Sequence, residues 1–352
     1  MNLTKMNNTL NEVYKAHPLT LGDIIPIDFS SSPSLPDSHT WSQPIDGDDD
    51  DFSSNDPASS SIPIIDMMDP NAKKLIAIAC ENFGAFHLKN HGIPLDVSQG
   101  AEQQLQRLFS LPTQQKMKAL RSPTTATGYG VARISPFFDK CMWHEGFTII
   151  GSPSHDAKKL WPHDYQQFCD TMEKYEKEMR RIADRLTEMM LEVLEISEEK
   201  RKWVGGSDVS AALQLNFYPC CPEPNRAMGL GPHTDTSMFT ILQAKSSGLQ
   251  LLKEGKWIPV HPHPNTLIVH TGDFLRIMSN ARFCSPIHRV VPNEKDERYS
   301  MAYFYSPPTD YTVSPSVTGD LNSVARFRDV TVMEYIGIKA EKFGDSLSSI
   351  ST

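Results

Sequence analysis

The chain has 352 residues, 39% of them hydrophobic and 22% charged, with a formal net charge of −9. That length can bury the core of one large domain or two small ones, and an acidic balance without a basic patch excludes a nucleic-acid surface. No run of about 18 apolar residues occurs, which excludes a membrane-spanning helix, and the N-terminal MNLTKMNNTLNEVYKAH lacks the apolar stretch of a secretory signal. The six cysteines include no C-x-x-C pair, a pattern that fits reduced thiols and a cytoplasmic protein.

In chain order, residues 1–61 read as an N-terminal arm and a linker. The Ser-, Pro- and Asp-rich part, residues 30–61, holds too few branched apolar residues to offset the entropy of ordering it. A helix-rich region is expected over 62–204. Apolar residues at 75, 76, 78, 79 and 83 make a helical stripe over 71–83, stopped by Gly84, and residues 85–92 follow as a strand. A second helix is expected over 96–109 with Asp96 as its N-cap. The longest pattern, 164–195, has no Pro or Gly and carries Phe168, Met172, Tyr175, Met179, Ile182 and Leu186 at three- and four-residue steps. After Gly205-Gly206 short strand candidates take over: 210–219, 238–243, 248–252, 256–260, 266–273, 286–291 and 298–305. Their spacing is that of a β sandwich or barrel. The fold class is therefore α+β, a β core over 205–310 buttressed by N-terminal helices, with a C-terminal segment at 311–352.

Within that core, His233-x-Asp235 can aim two side chains at one point, because residues two apart on a strand share a face. His288 lies 53 residues beyond Asp235, within reach if its strand belongs to a facing sheet. Two imidazoles and a carboxylate on one side of an ion leave its other positions open, as in non-haem Fe(II) oxygenases; zinc-assisted hydrolysis uses similar donors. The turn 292–297 should join 286–291 and 298–305 as a hairpin and place Arg298 and Ser300 beside His288, where they could grip a carboxylate; otherwise Arg298 caps a surface turn. In 210–219 the residues Gln214, Asn216 and Tyr218 give one strand a polar face, which suits a cavity wall or solvent.

H-x-D…H followed by R-x-S, with N-x-Y-P upstream, resembles the plant 2-oxoglutarate- and Fe(II)-dependent dioxygenases, and the likeness spans nearly the whole chain. It implies a double-stranded β-helix (jelly roll) with Fe(II) on His233, Asp235 and His288. Tyr218, Arg298 and Ser300 would hold the distal carboxylate of 2-oxoglutarate. O2 is the other cosubstrate and ascorbate the reductant. The stretches GYGVARISPFFDKCMWHEGFTIIGSP (128–153) and AALQLNFYPCCPEPNRAMGLGPHTD (211–235) are similar to the gibberellin 3-beta-dioxygenases. That resemblance implies 3β-hydroxylation of a gibberellin-type diterpenoid acid by a monomer without nucleic-acid or membrane partners. Other gibberellin oxidations, 2β or at carbon 20, and a non-catalytic binding jelly roll are the competing expectations. Phe137, Phe138, Trp143 and Phe147 are candidate pocket walls. The chain departs from the family at His270, where Asn is usual, and at Ala281, where Gly is usual.

Overall fold

In the computed structural model, which describes residues 12–42, 61–317 and 324–352, strand β1 (Ile64–Asp66) is the first strand. Helix α1 (Ala72–Asn82) ends as its composition demands: Gly84 takes φ 66° and returns its N–H to the Ala79 carbonyl. Strand β2 (Ala85–Lys89) and helix α2 (Leu95–Phe109) follow. Asp96 lies inside the first turn of α2 instead of capping it. The cap position is Pro94, so the Asp96 charge acts on the positive end of the helix and not as a hydrogen-bonding cap. Strands β3 (Gly128–Gly130) and β4 (Glu145–Ile149) were not expected; both are short, and each contains glycine. Helix α3 (Gln166–Val193) buries the expected stripe, with Phe168, Met172, Tyr175, Met179 and Leu186 fully inaccessible. Each such side chain contributes about 1.5–3 kcal/mol of burial.

Eight strands then build the core: β5 (Ser210–Tyr218), β6 (Leu230–His233), β7 (Phe239–Ala244), β8 (Leu249–Lys253), β9 (Lys256–Pro259), β10 (Thr266–Thr271), β11 (His288–Val290) and β12 (Arg298–Ser306). They divide between two sheets. The large sheet runs β1-β2-β10-β7-β12-β5-β4-β3 and the small one β6-β11-β8-β9. Among the strands of the described residues only β1 and β2 pair in parallel. The inner layer between the sheets joins Leu242, Ile268 and Ala302 of the large sheet to Leu249, Leu251 and Val290 of the small one. The outer face of the large sheet, including Leu213, Leu215, Ile241, Met301 and Tyr303, packs against α3 and its neighbours. This is the α+β class expected from the element pattern, and the jelly roll that the family resemblance implies. Helix α4 (Asp273–Met278) interrupts the expected strand at Gly272, and helix α5 (Val332–Lys342) closes the chain over the mouth of the core.

Two further expectations fail. The strands at 288 and 298 are not a hairpin: β11 pairs with β6 and β8, whereas β12 runs along β5 and β7 in the other sheet. The nine-residue ladder of β12 with β5, from Arg298–Tyr218 to Ser306–Ser210, outcompetes any pairing with the three-residue β11. The first part of the expected linker is also ordered. Leu35 and His39 are buried, and Leu35 joins Trp143 and Cys221 in a small cluster. The aspartate run at 46–51 lies outside the described residues.

Candidate active site

His233 ends β6 and His288 begins β11, and the two are direct cross-strand partners, with ring centroids 4.2 Å apart. They therefore share one sheet instead of facing each other across two. Asp235 sits in the loop just after β6. Ligating atoms of all three residues lie within 4.8 Å of one another. Each imidazole is aimed the same way. His233 Nδ1 donates to the Gly231 carbonyl at 2.8 Å and His288 Nδ1 to the Pro286 carbonyl at 3.1 Å, each two residues back. A carbonyl only accepts, so both rings carry their proton on Nδ1 and present the Nε2 lone pair to the centre.

Asp235 completes the set. Its Oδ2 accepts from Thr240 Oγ1 at 2.5 Å, which turns Oδ1 toward His233 Nε2 at 3.5 Å and His288 Nε2 at 3.7 Å. Two lone pairs and a carboxylate oxygen facing one another, all in a site at most 11% exposed, repel unless a cation sits among them. The protonation states suit a metal as well. Burial pulls the Asp235 carboxyl up, but the surrounding imidazoles, His288 foremost, outweigh it and hold the group well below the usual carboxylate range. Burial, reinforced by His233, pushes His288 down to about 3. At neutral pH Asp235 is ionised and His288 neutral, the forms that ligate. These donors fit Fe(II).

The alternation of β5 supplies the second wall. Leu213, Leu215 and Phe217 turn to the helices, while Gln214, Asn216 and Tyr218 turn to a cavity of about 650 Å³ that also contains the triad. Arg298 stands opposite Tyr218 and Ser300 opposite Asn216 in the β5–β12 ladder, so all four share the cavity face. Arg298 is 3% exposed and does not cap a surface turn; its guanidinium donates to the Ser246 carbonyl and lies 5.9 Å from the Tyr218 ring. Burial raises the Tyr218 phenol, which stays protonated and able to donate. Behind this wall His144 Nε2 bonds Asn216 Oδ1 at 3.0 Å. Burial takes His144 down to about 4, so it is a neutral donor.

Several contributors escaped the sequence reading. Thr240 and the carbonyls of Gly231 and Pro286 orient the triad. Asp273, fully buried, accepts from Lys339 Nζ at 2.8 Å, Tyr335 Oη at 2.9 Å, Thr234 Oγ1 at 3.2 Å and Ser285 Oγ at 2.7 Å. Its own N–H donates to the Asp235 carbonyl, so it ties α5 to the loop of the triad. Of the four aromatic wall candidates only Phe137 lines the cavity. Trp143 packs with Phe29 and Leu35, Phe147 lies in the helix-side core, and Phe138 meets Trp41 at a tilt and Phe343 edge-on. His270 lines the cavity 2% exposed; its Nδ1 is 3.9 Å from Asp235 Oδ2, beyond hydrogen-bond reach, and both ring nitrogens lack a partner among the described residues.

Comparison with known proteins agrees with this geometry. The family model of the 2OG-Fe(II) oxygenase superfamily matches residues 209–307, and that of the non-haem dioxygenase in morphine synthesis N-terminal matches residues 62–168. Gibberellin 3-beta-dioxygenase 1 of Pisum sativum is 44% identical, over 97% of this chain and 93% of the relative. Gibberellin 3-beta-dioxygenase 1 of Arabidopsis thaliana is 43% identical, over 97% of each. Among solved structures, JOX2 in complex with 2OG, Fe and JA superposes with a TM-score of 0.77 at 28% identity, covering 92% of this chain and 96% of JOX2. Among the described residues no helix is long and apolar enough to cross a membrane. With this fold, these donors and these relatives, the chain belongs to the 2OG-Fe(II) oxygenase superfamily, within the gibberellin 3-beta-dioxygenase family, and is an Fe(II)- and 2-oxoglutarate-dependent dioxygenase.

Proposed function

We propose that this enzyme hydroxylates gibberellin precursors at the 3β position, with His233, Asp235 and His288 holding Fe(II) and Tyr218, Arg298 and Ser300 holding the distal carboxylate of 2-oxoglutarate. The observation that carries the metal assignment is the convergence of two Nε2 lone pairs and one carboxylate oxygen in a buried site. The substrate and the position of attack rest on relatives at 44% and 43% identity that bear this activity in their names.

When bound, Fe(II) couples oxidative decarboxylation of 2-oxoglutarate by O2, giving succinate and CO2, to insertion of one oxygen atom into a substrate C–H bond. The protein's part is orientation and exclusion of water. Thr240 keeps Asp235 Oδ2 occupied, so Oδ1 is the ligating oxygen. Arg298 offers a planar fork to the far carboxylate, and Tyr218 and Ser300 add hydroxyl donors on the same face. The charges close: a divalent ion, the Asp235 anion, a dianionic keto acid and the Arg298 cation sum to zero. His270 favours a second reading. It brings an imidazole to the cavity beside Asp235, which is grounds for a 2β or mixed 2β/3β outcome. The functional division proposed is 62–204 as buttress, 205–310 as catalytic core and 311–352 as closing segment. A monomer working in the cytoplasm completes the reading, and the six free cysteines suit that compartment.

The test is anaerobic loading with Fe(II) and 2-oxoglutarate, then O2, ascorbate and a gibberellin panel, with products identified by mass spectrometry. A 3β-hydroxylated product is expected. His233→Ala should bind no Fe(II) in equilibrium dialysis; full binding by that variant would remove the ligand assignment.

A further inference from the structure

The cavity holds two cations that the chemistry above leaves unused. Arg121 is 4% exposed yet lines the cavity; one of its nitrogens donates to the Val131 carbonyl at 2.6 Å, and its Nε is buried without a partner. Arg133 lines the same cavity; it donates to the Thr125 carbonyl at 3.0 Å and lies 3.5 Å over the Tyr14 ring. Neither has a carboxylate within ion-pair distance among the described residues. The third cation nearby, Lys339, is matched by Asp273. Arg133 is close enough to Arg121 that its charge, after burial, helps push that guanidinium down to about 10. Two unmatched like charges at one wall of a semi-enclosed cavity are costly without an anion.

We propose that Arg121 and Arg133 form a carboxylate-binding subsite that anchors the acid group of the organic substrate. The inference rests on the reading that this cavity is the substrate site, and it deepens that reading. The neighbouring wall is apolar: Ala126 and Ile150 cluster with Tyr14, Ala212 and Ile336. The ligand that fits is therefore an apolar body bearing a carboxylate. 2-Oxoglutarate is the other carboxylate in the reaction, but its distal end already has Arg298 and Ser300 and its reactive end belongs at the triad. The anion on Arg121 and Arg133 is a separate molecule.

Kinetics with a 3-deoxygibberellin and its methyl ester test this. The wild type should prefer the acid by about tenfold or more, the size expected of a charge-assisted contact. Arg133→Met, half-buried and tolerant of folding, and Arg121→Met should each raise KM for the acid about tenfold and collapse the acid-over-ester preference. Both should leave KM for 2-oxoglutarate within twofold. Arg121→Lys, which keeps the charge, should recover part of the preference if Arg121→Met folds poorly. An unchanged KM for the acid in Arg133→Met, or a rise confined to 2-oxoglutarate, overturns the subsite. If the wild type oxidises no gibberellin, the substrate reading fails by itself. Equilibrium dialysis of abietic acid and its methyl ester then decides the subsite: equal affinity of the wild type for both removes it, and an acid preference lost in Arg133→Met keeps it.

Discussion

Replacing Asp273 by Asn should unfasten α5 from the loop that carries Asp235. The carboxylate is fully buried and receives Lys339, Tyr335, Thr234 and Ser285. Asn keeps the shape but removes the charge that balances Lys339, and it turns an amide N–H toward hydroxyls that now donate. Breaking a buried pair by removing one partner costs about 3–5 kcal/mol. The Lys339 side chain is 13% exposed and recovers some hydration, which favours the low end, about 3 kcal/mol. For a chain of 352 residues that lowers Tm by about 4 °C. The assay is a thermal melt followed by circular dichroism, for Asp273→Asn, Lys339→Met and the double variant. Because the double variant removes both charges, it should recover at least about half of the loss, the coupling expected of contacting residues. A single-variant shift under about 1 °C, or strict additivity in the double variant, would refute the electrostatic account.

Arg298→Lys replaces a planar fork by a point charge and should raise KM for 2-oxoglutarate roughly 10- to 100-fold; an unchanged KM removes Arg298 from cosubstrate binding. His144 titrates at about 4 in the fold against an ordinary 6.5, so between those values the unfolded chain binds more protons, and stability is lost as pH falls through that window. The loss reaches about 3 kcal/mol below pH 4; His144→Gln should flatten this acid limb in urea titrations, and an identical slope would show that other groups set it. A Cβ built on Gly272 would sit 2.0 Å from the Ser237 carbonyl oxygen, so Gly272→Ala must move backbone and should cost about 1–3 kcal/mol of stability. Fe(II) affinity should fall with it, since Ser237 shares the loop of Asp235; dialysis showing full metal binding would disprove that link.

What the sequence made legible was whatever leaves a periodic or spaced trace. The α3 stripe and the two-faced β5 strand were visible because burial on one side imposes 3.6- and 2-residue periods on residue type. The triad was visible through its spacing and its likeness to a known family. The partnership of β11 and β12 was misread because a six-residue polar connection serves equally as a hairpin turn or as a crossing between sheets. Only the long ladder of β12 with β5, whose partners lie 80 to 96 residues apart in the chain, decides it. The carbonyls of Gly231 and Pro286 left no trace at all, since every residue carries one. Asp273 and Thr240 are ordinary residue types whose value appears only when chain-distant donors arrive.

On the proposed roles, the ion sits on the small sheet and the grip on the keto acid sits on the large one. Their spacing is therefore not fixed by any one strand but by the apolar layer of Leu242, Ile268, Leu251 and Val290 that holds the sheets apart. Shaving a methyl from that layer, as in Ile268→Val, would alter fit before it altered fold. The readout would be stoichiometry: CO2 released without a matching hydroxyl placed on the hormone precursor.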